Sequence, residues 1–155
     1  MPKASKELLD ALNDALSEEL ASTIQYMWQH VTARGLESAA IAGVFKELSM
    51  AEMDHAYKVA ERIDLLGGVP TTAVGPIKVD GDLRRMLEGD LKAEDDAIEL
   101  YRNLVKLARK EDDPVTLHWW RRSWARRRIT PTNWQRSSGR RSRRGEPSGP
   151  PEGLA

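Results

Sequence analysis

Residues 48–59 read LSMAEMDHAYKV, and the phase of Glu52 and His55 within that run decides the fold. Apolar side chains recur at steps of three and four through Val44, Leu48 and Val59, the spacing of one helix face. Glu52 and His55 occupy the intervening places on that stripe, where leucines are expected. An acid on a buried face is costly unless a cation shares the site. The helix is predicted from about residue 37 to 66, with Gly67-Gly68 as its stop.

The same pattern appears on both sides of this run. Residues 4–34 form a predicted helix capped by Ser5 and stopped by Gly35, with the stripe Leu9, Leu12, Leu16, Glu19, Thr23, Tyr26. Residues 81–111 form another, with the stripe Leu87, Leu91, Glu94, Ile98, Tyr101, Val105. Each contains one inward-facing acid. Glu18 falls on the flank with Ala15 and Ser22, and the run 92–99, apart from Glu94, reads as a solvated face. Between the second and third helices lies GGVPTTAVGPIKVD, residues 67–80. A connection this long is unsuited to a tight helical hairpin and fits a crossover along a bundle. Nothing reads as a strand, so the domain is predicted to be all-α.

Each acid also has a bland reading. One residue of mis-phasing would put it on a solvated flank, and three such coincidences on three helices are harder to accept than one. His55 alone reads as a satisfied core histidine; Glu52 one turn earlier reverses that. Tyr26 reads as core packing, with a hydrogen bond to a metal-ligating side chain as the alternative. His30 takes no role.

Composition bounds the rest. The 155 residues include no cysteine, which excludes disulfides and thiolate ligands. The longest run free of Asp, Glu, Lys and Arg, residues 20–33, is too short to span a bilayer. The N-terminus has no apolar signal core, so a cytoplasmic location is expected. A formal charge of zero hides an asymmetry. Residues 1–113 hold fourteen basic and twenty-two acidic side chains; residues 114–155 hold ten arginines, two glutamates and four of the five tryptophans.

Oxygen-activating iron pairs use carboxylates to neutralise two cations and an imidazole on each metal. Helix bundles supply these as one Glu from each of two helices and a Glu-x-x-His from each of two more. Glu19, Glu94 and the Glu52/His55 pair make up three of those four contributions. With these residues in place, the segments EELASTIQYMWQH, ELSMAEMDHAYKVAERIDLLGGVPTT and MLEGDLKAEDDAIELY resemble the ferritin-like superfamily, closest to its bacterioferritin branch, over about residues 5–117.

That resemblance implies a four-helix bundle with a long crossover between its second and third helices. It implies oxidation of Fe(II) by O2 or peroxide at an intrasubunit di-iron site. Ferric iron would be stored in a hollow homo-oligomeric shell of twelve or twenty-four subunits. Glu19 and Glu94 match terminal carboxylates, Glu52 a bridging carboxylate and His55 a histidine ligand; together they are the expected metal-binding and catalytic set. Met53 falls where haem-binding members place their haem ligand, although packing or subunit contact is the preferred reading.

The helices further suggest an internal repeat. Glu52 follows Glu19 by 33 residues, so Glu94 predicts an acid at position 127 and a histidine at 130. The chain has Arg127 and Thr130, within HWWRRSWARRRITPTNWQRSSGRRSRRGEPSGPPEGLA, residues 118–155. Reading GC-rich codons from the third base of the His118 codon restores a glutamate in register with Arg127 and a histidine in register with Thr130. Residues 1–117 are therefore expected to be the helical domain. Residues 118–155 are expected to be a disordered tail, a shifted-frame reading of a fourth helix that is itself degraded or absent. Two other classes stay open: nucleic-acid binding by a mini-ferritin-like protein through the Arg/Trp tail, and an inert helical bundle.

Overall fold

The computed structural model describes residues 4–35 and 38–126, with side chains described as far as residue 120. Four helices follow in order: α1 (Lys6–Thr32), α2 (Ser38–Leu65), α3 (Leu83–Lys110) and α4 (Pro114–Arg126). No strand occurs among the described residues. No helix of the described residues is long and apolar enough to cross a membrane.

Local chemistry sets the helix ends. The Ser5 hydroxyl accepts from the Leu8 amide at 3.1 Å, and Asp82 accepts from the Arg85 amide at 3.0 Å, each satisfying a donor at a helix start. At the end of α2, Gly67 adopts φ +77° while the Gly67 and Gly68 amides donate back to Asp64 and Ile63 at 2.8 and 2.9 Å. This is the paired closure that a left-handed residue makes possible. Asp112, at φ 51°, closes α3 by the same pattern, through Asp112 to Arg109 and Asp113 to Ala108.

α1 and α2 form an antiparallel hairpin, with His30 reaching the Ala42 carbonyl at one end and Gly68 approaching Leu9 at the other. Residues 66–82 then run back along α1. The Asn13 side chain bonds the Val69 carbonyl and the Thr71 amide, the Ser17 carbonyl accepts from Gly75, and Gln25 Oε1 accepts from Lys78. A Cβ on Gly75 would meet Glu18 Oε1 at 2.8 Å and the Ser17 carbonyl at 3.3 Å, so a larger residue there would have to displace the Glu18 side chain. The predicted crossover is thus present, and it returns the chain so that α3 packs antiparallel to α1.

The core is split. One apolar cluster gathers Leu8, Leu12, Leu16, Val59, Ile63, Tyr101 and Leu104; the other is built on Tyr26, Ala33 and Phe45. Between them lies a layer of buried polar side chains that includes Glu19, Thr23, Ser49 and Glu52.

Several stripe positions differ from expectation by one residue. Val44 and Leu91 are exposed, while Phe45, Ser49 and Asp90 are buried. At Ser49 and Asp90 the periodic reading preferred the apolar neighbour and the bundle buried the polar residue, while at Val44 the larger Phe45 beside it was buried instead.

α4 is present but short, and it crosses residue 117, where the fold was expected to stop. Pro114 occupies the first turn, where a missing amide hydrogen costs nothing. Asp113 accepts from the Val115 and Thr116 amides at 3.1 and 3.0 Å. Arg62 of α2 clamps Asp113 at 2.8 Å and donates to Thr116 Oγ1 at 2.8 Å. Trp120 is buried against Tyr101 with ring centroids 4.8 Å apart, and Trp119 meets Trp120 edge-on at 4.4 Å. Two adjacent indoles anchor a helix start that shows no regular apolar stripe. Positions 127 and 130, and the nucleic-acid reading of the basic tail beyond α4, lie outside the described residues.

Candidate metal centre

Glu19 stands midway along α1, and Glu52 and His55 stand one turn apart on α2. Because α1 and α2 are antiparallel, these midpoints meet. Ser49 strengthens the match by donating to the Thr23 carbonyl at 2.8 Å, tying the helices together one turn from the acids.

One ligand atom from each of Glu19, Glu52 and His55 lies within 4.8 Å of the others, the only such group among the described residues. Both carboxylates are almost fully buried, at 2% and 4% exposure. His55 Nδ1 is 2.9 Å from Glu52 Oε2 and 3.7 Å from Glu19 Oε2. Burial alone would lower the His55 pKa, but the two carboxylates raise it to about 9. At neutral pH the imidazolium therefore supplies the positive charge that the buried acids demand. A divalent cation satisfies the same demand with two hard oxygens and one imidazole nitrogen, and binding it requires loss of that proton. The residues fit one metal position.

Glu94 is half-buried on α3 and lies outside this group. Its Oε1 accepts from the Tyr26 hydroxyl at 3.4 Å, a long contact. Met53 is half-buried next to Glu52 and also lies outside the group.

Two features escaped the sequence reading. The Tyr101 hydroxyl donates to Glu19 Oε1, orienting the carboxylate from α3. Tyr101 stands on the predicted α3 stripe, seven residues after Glu94, so its inward direction was readable but its partner was not. The second feature is Asp90, one turn before Glu94, which accepts from Gln25 and Gln29 at 2.8 Å each. A glutamine pair at i and i+4 on α1 was its signal.

Residues 9–122 match the family described as ferritin-like domain. The chain is 35% identical over 111 residues to the bacterioferritin of Desulfovibrio desulfuricans, covering 71% of this chain and 62% of that protein, so it spans under two thirds of that relative's length. A structure of the same bacterioferritin, described as showing its diiron site in different catalytic states, superposes with a TM-score of 0.76 at 30% identity over 85% of this chain and 78% of that one. The Rhodobacter capsulatus bacterioferritin, whose structure has a metal-free dinuclear site and haem iron, superposes with a TM-score of 0.74 at 27% identity over 90% and 89% of the two chains. A dodecameric thioferritin, the bacterioferritin-related protein of Bacteroides fragilis, gives a TM-score of 0.75 at 26% identity over 91% and 90%. With a crossed helical bundle, an acidic layer at its middle and these relatives, the chain belongs to the ferritin-like family, in its bacterioferritin branch.

Proposed function

We propose that this protein binds Fe(II) as substrate at Glu19, Glu52 and His55, with Glu94 as the nearest further carboxylate, and passes it to storage as ferric iron after oxidation by O2 or peroxide. The observation that carries this reading is the buried group of two carboxylates and one imidazole within 4.8 Å. Apolar side chains would hold the bundle as well as this group does, because replacing buried charges with them is often neutral or stabilising.

The roles follow from position. Glu19 is aimed by Tyr101, and Glu52, grouped with Glu19 and His55 within 4.8 Å, would take the bridging role. His55 surrenders its proton as the cation enters. The described residues supply a full donor set for one iron and little for a second. Positions 127 and 130, where a second Glu-x-x-His would complete the pair, carry Arg127 and Thr130. The reading is therefore one iron held firmly and a second held weakly, with oxidation slow for want of a coupled partner. Haem at Met53 is not required by any contact of that side chain. Assembly into a homo-oligomeric shell is part of the proposal, supported by the dodecameric relative.

Anaerobic titration of the full chain with Fe(II), followed by air and an oxygen electrode, tests this. Binding of one ion per chain that Glu52→Ala abolishes, with oxygen uptake lost in parallel, is the expected result. Uptake unchanged by Glu52→Ala would remove this site from the reaction.

A further inference from the structure

The seam between α1 and α3 contains a second cluster that the Glu19 group does not use. Asp90 is buried to 7% exposure and Gln29 to 1%. Asp90 Oδ1 accepts from the side-chain amides of Gln25 and Gln29, each at 2.8 Å. Gln25 also accepts at Oε1 from the Lys78 amide of the crossover at 2.8 Å. Asp90 Oδ2 and Gln29 Oε1 are both buried and have no hydrogen-bond partner.

Both orphan atoms are acceptors, and one belongs to a carboxylate. No lysine, arginine or histidine among the described residues forms an ion pair with Asp90, whose charge meets only two neutral amides. A buried carboxylate without a counter-ion is costly, and an unsatisfied buried acceptor such as Gln29 Oε1 adds to that cost. A donor or a positive charge that reached both oxygens would relieve both penalties at once.

We propose that Asp90 Oδ2 and Gln29 Oε1 form a binding site for a hard, oxygen-seeking cation, separate from the Glu19 group. Carboxylate and carbonyl-type oxygens are the donors such ions prefer, with water filling the remaining positions. The site lies one helical turn before Glu94 along α3. Gln25 links it to the crossover, so an ion there is held by α1 and α3 and braced by the strap. Burial raises the Asp90 carboxyl above its ordinary range, opposed by the two amide hydrogen bonds, which makes a proton the natural competitor for this place. The site does not rest on iron binding at the Glu19 group, and the two can fail independently.

Terbium(III), excited through the protein's indole and phenol rings, is the probe. The full chain is titrated in high salt to suppress exposed carboxylates, and the emission lifetime is compared in H2O and D2O to count bound water. Wild type is expected to hold a poorly hydrated ion that Glu52→Ala leaves in place and Asp90→Asn removes. Asp90→Asn preserves shape and removes the charge, so it should fold. Should its far-UV circular dichroism be lost, Gln29→Met removes the second oxygen with Asp90 intact, and the same loss is expected. If only Glu52→Ala removes terbium, or wild type shows no poorly hydrated ion, the place holds a proton or a water and the proposal is overturned.

Discussion

Trp120→Ala is the substitution that decides whether the chain beyond residue 117 is part of the fold. The indole is 2% exposed, packs on Tyr101 and borders Trp119. A buried indole removes on the order of 200 Å2 from water. At about 25 cal/mol per Å2 that contributes roughly 5 kcal/mol. One feature works against it: Trp120 Nε1 is buried without a partner, an expense of about 1–3 kcal/mol. The net loss on truncation is therefore expected near 3 kcal/mol, at the low end for a core tryptophan. For a chain of this size that corresponds to a fall in Tm of about 6–12 °C. Urea unfolding followed by circular dichroism measures it directly. Trp120→Phe supplies the control, since it keeps the ring against Tyr101 and sheds the orphan N–H; its stability should lie within about 1 kcal/mol of wild type. If Trp120→Ala unfolds at the wild-type midpoint, α4 contributes nothing and the reasoning fails.

Four further outcomes are expected. His55 has a folded pKa raised to about 9, so the stability it lends the metal-free protein is complete below its unfolded value of about 6.5 and disappears as pH rises through 9. Thermal melts of wild type at pH 6 and pH 10 should differ by on the order of 3 kcal/mol more than those of His55→Gln. Arg62→Ala should cost about 2 kcal/mol by urea unfolding, because it strands Asp113, whose carboxyl Arg62 and Thr116 hold below its usual range despite burial. Gly67→Ala, at φ +77°, should lower stability by about 1 kcal/mol in the same assay. Nucleotide sequencing across codons 114–120 should show a frame disturbance relative to bacterioferritin genes; an undisturbed frame shared by close relatives would dispose of the shifted-frame reading.

Much of this molecule was legible because its charged residues break the apolar pattern at rare places. Glu19, Glu52 and His55 each interrupt a stripe, and antiparallel packing brings those interruptions to one level. Glu94 interrupts a stripe too, yet it stays outside the group. Its helix turned by about one residue from the expected phase, burying Asp90 and exposing Leu91. Periodicity resolves a helix face only to within a residue, and no local signal says whether a polar neighbour will find partners across the seam. Asp90 found Gln25 and Gln29, which are distant in sequence. α4 was hidden for another reason. Its anchors are two adjacent indoles and a capping aspartate rather than a repeating stripe.

The crossover has a consequence for how the protein survives other enzymes. A protease must draw roughly ten residues of chain into extended form in its cleft, and irregular segments with exposed side chains usually yield first. Residues 69–79 have that look, with Val69, Val74, Ile77 and Val79 all exposed. Yet Asn13, Ser17 and Gln25 pin the backbone at Val69, Thr71, Gly75 and Lys78, leaving no free stretch longer than three residues. Cleavage there waits on peeling the strap from α1. Because Gln25 also holds Asp90, the first nick would loosen α3 as well as the strap.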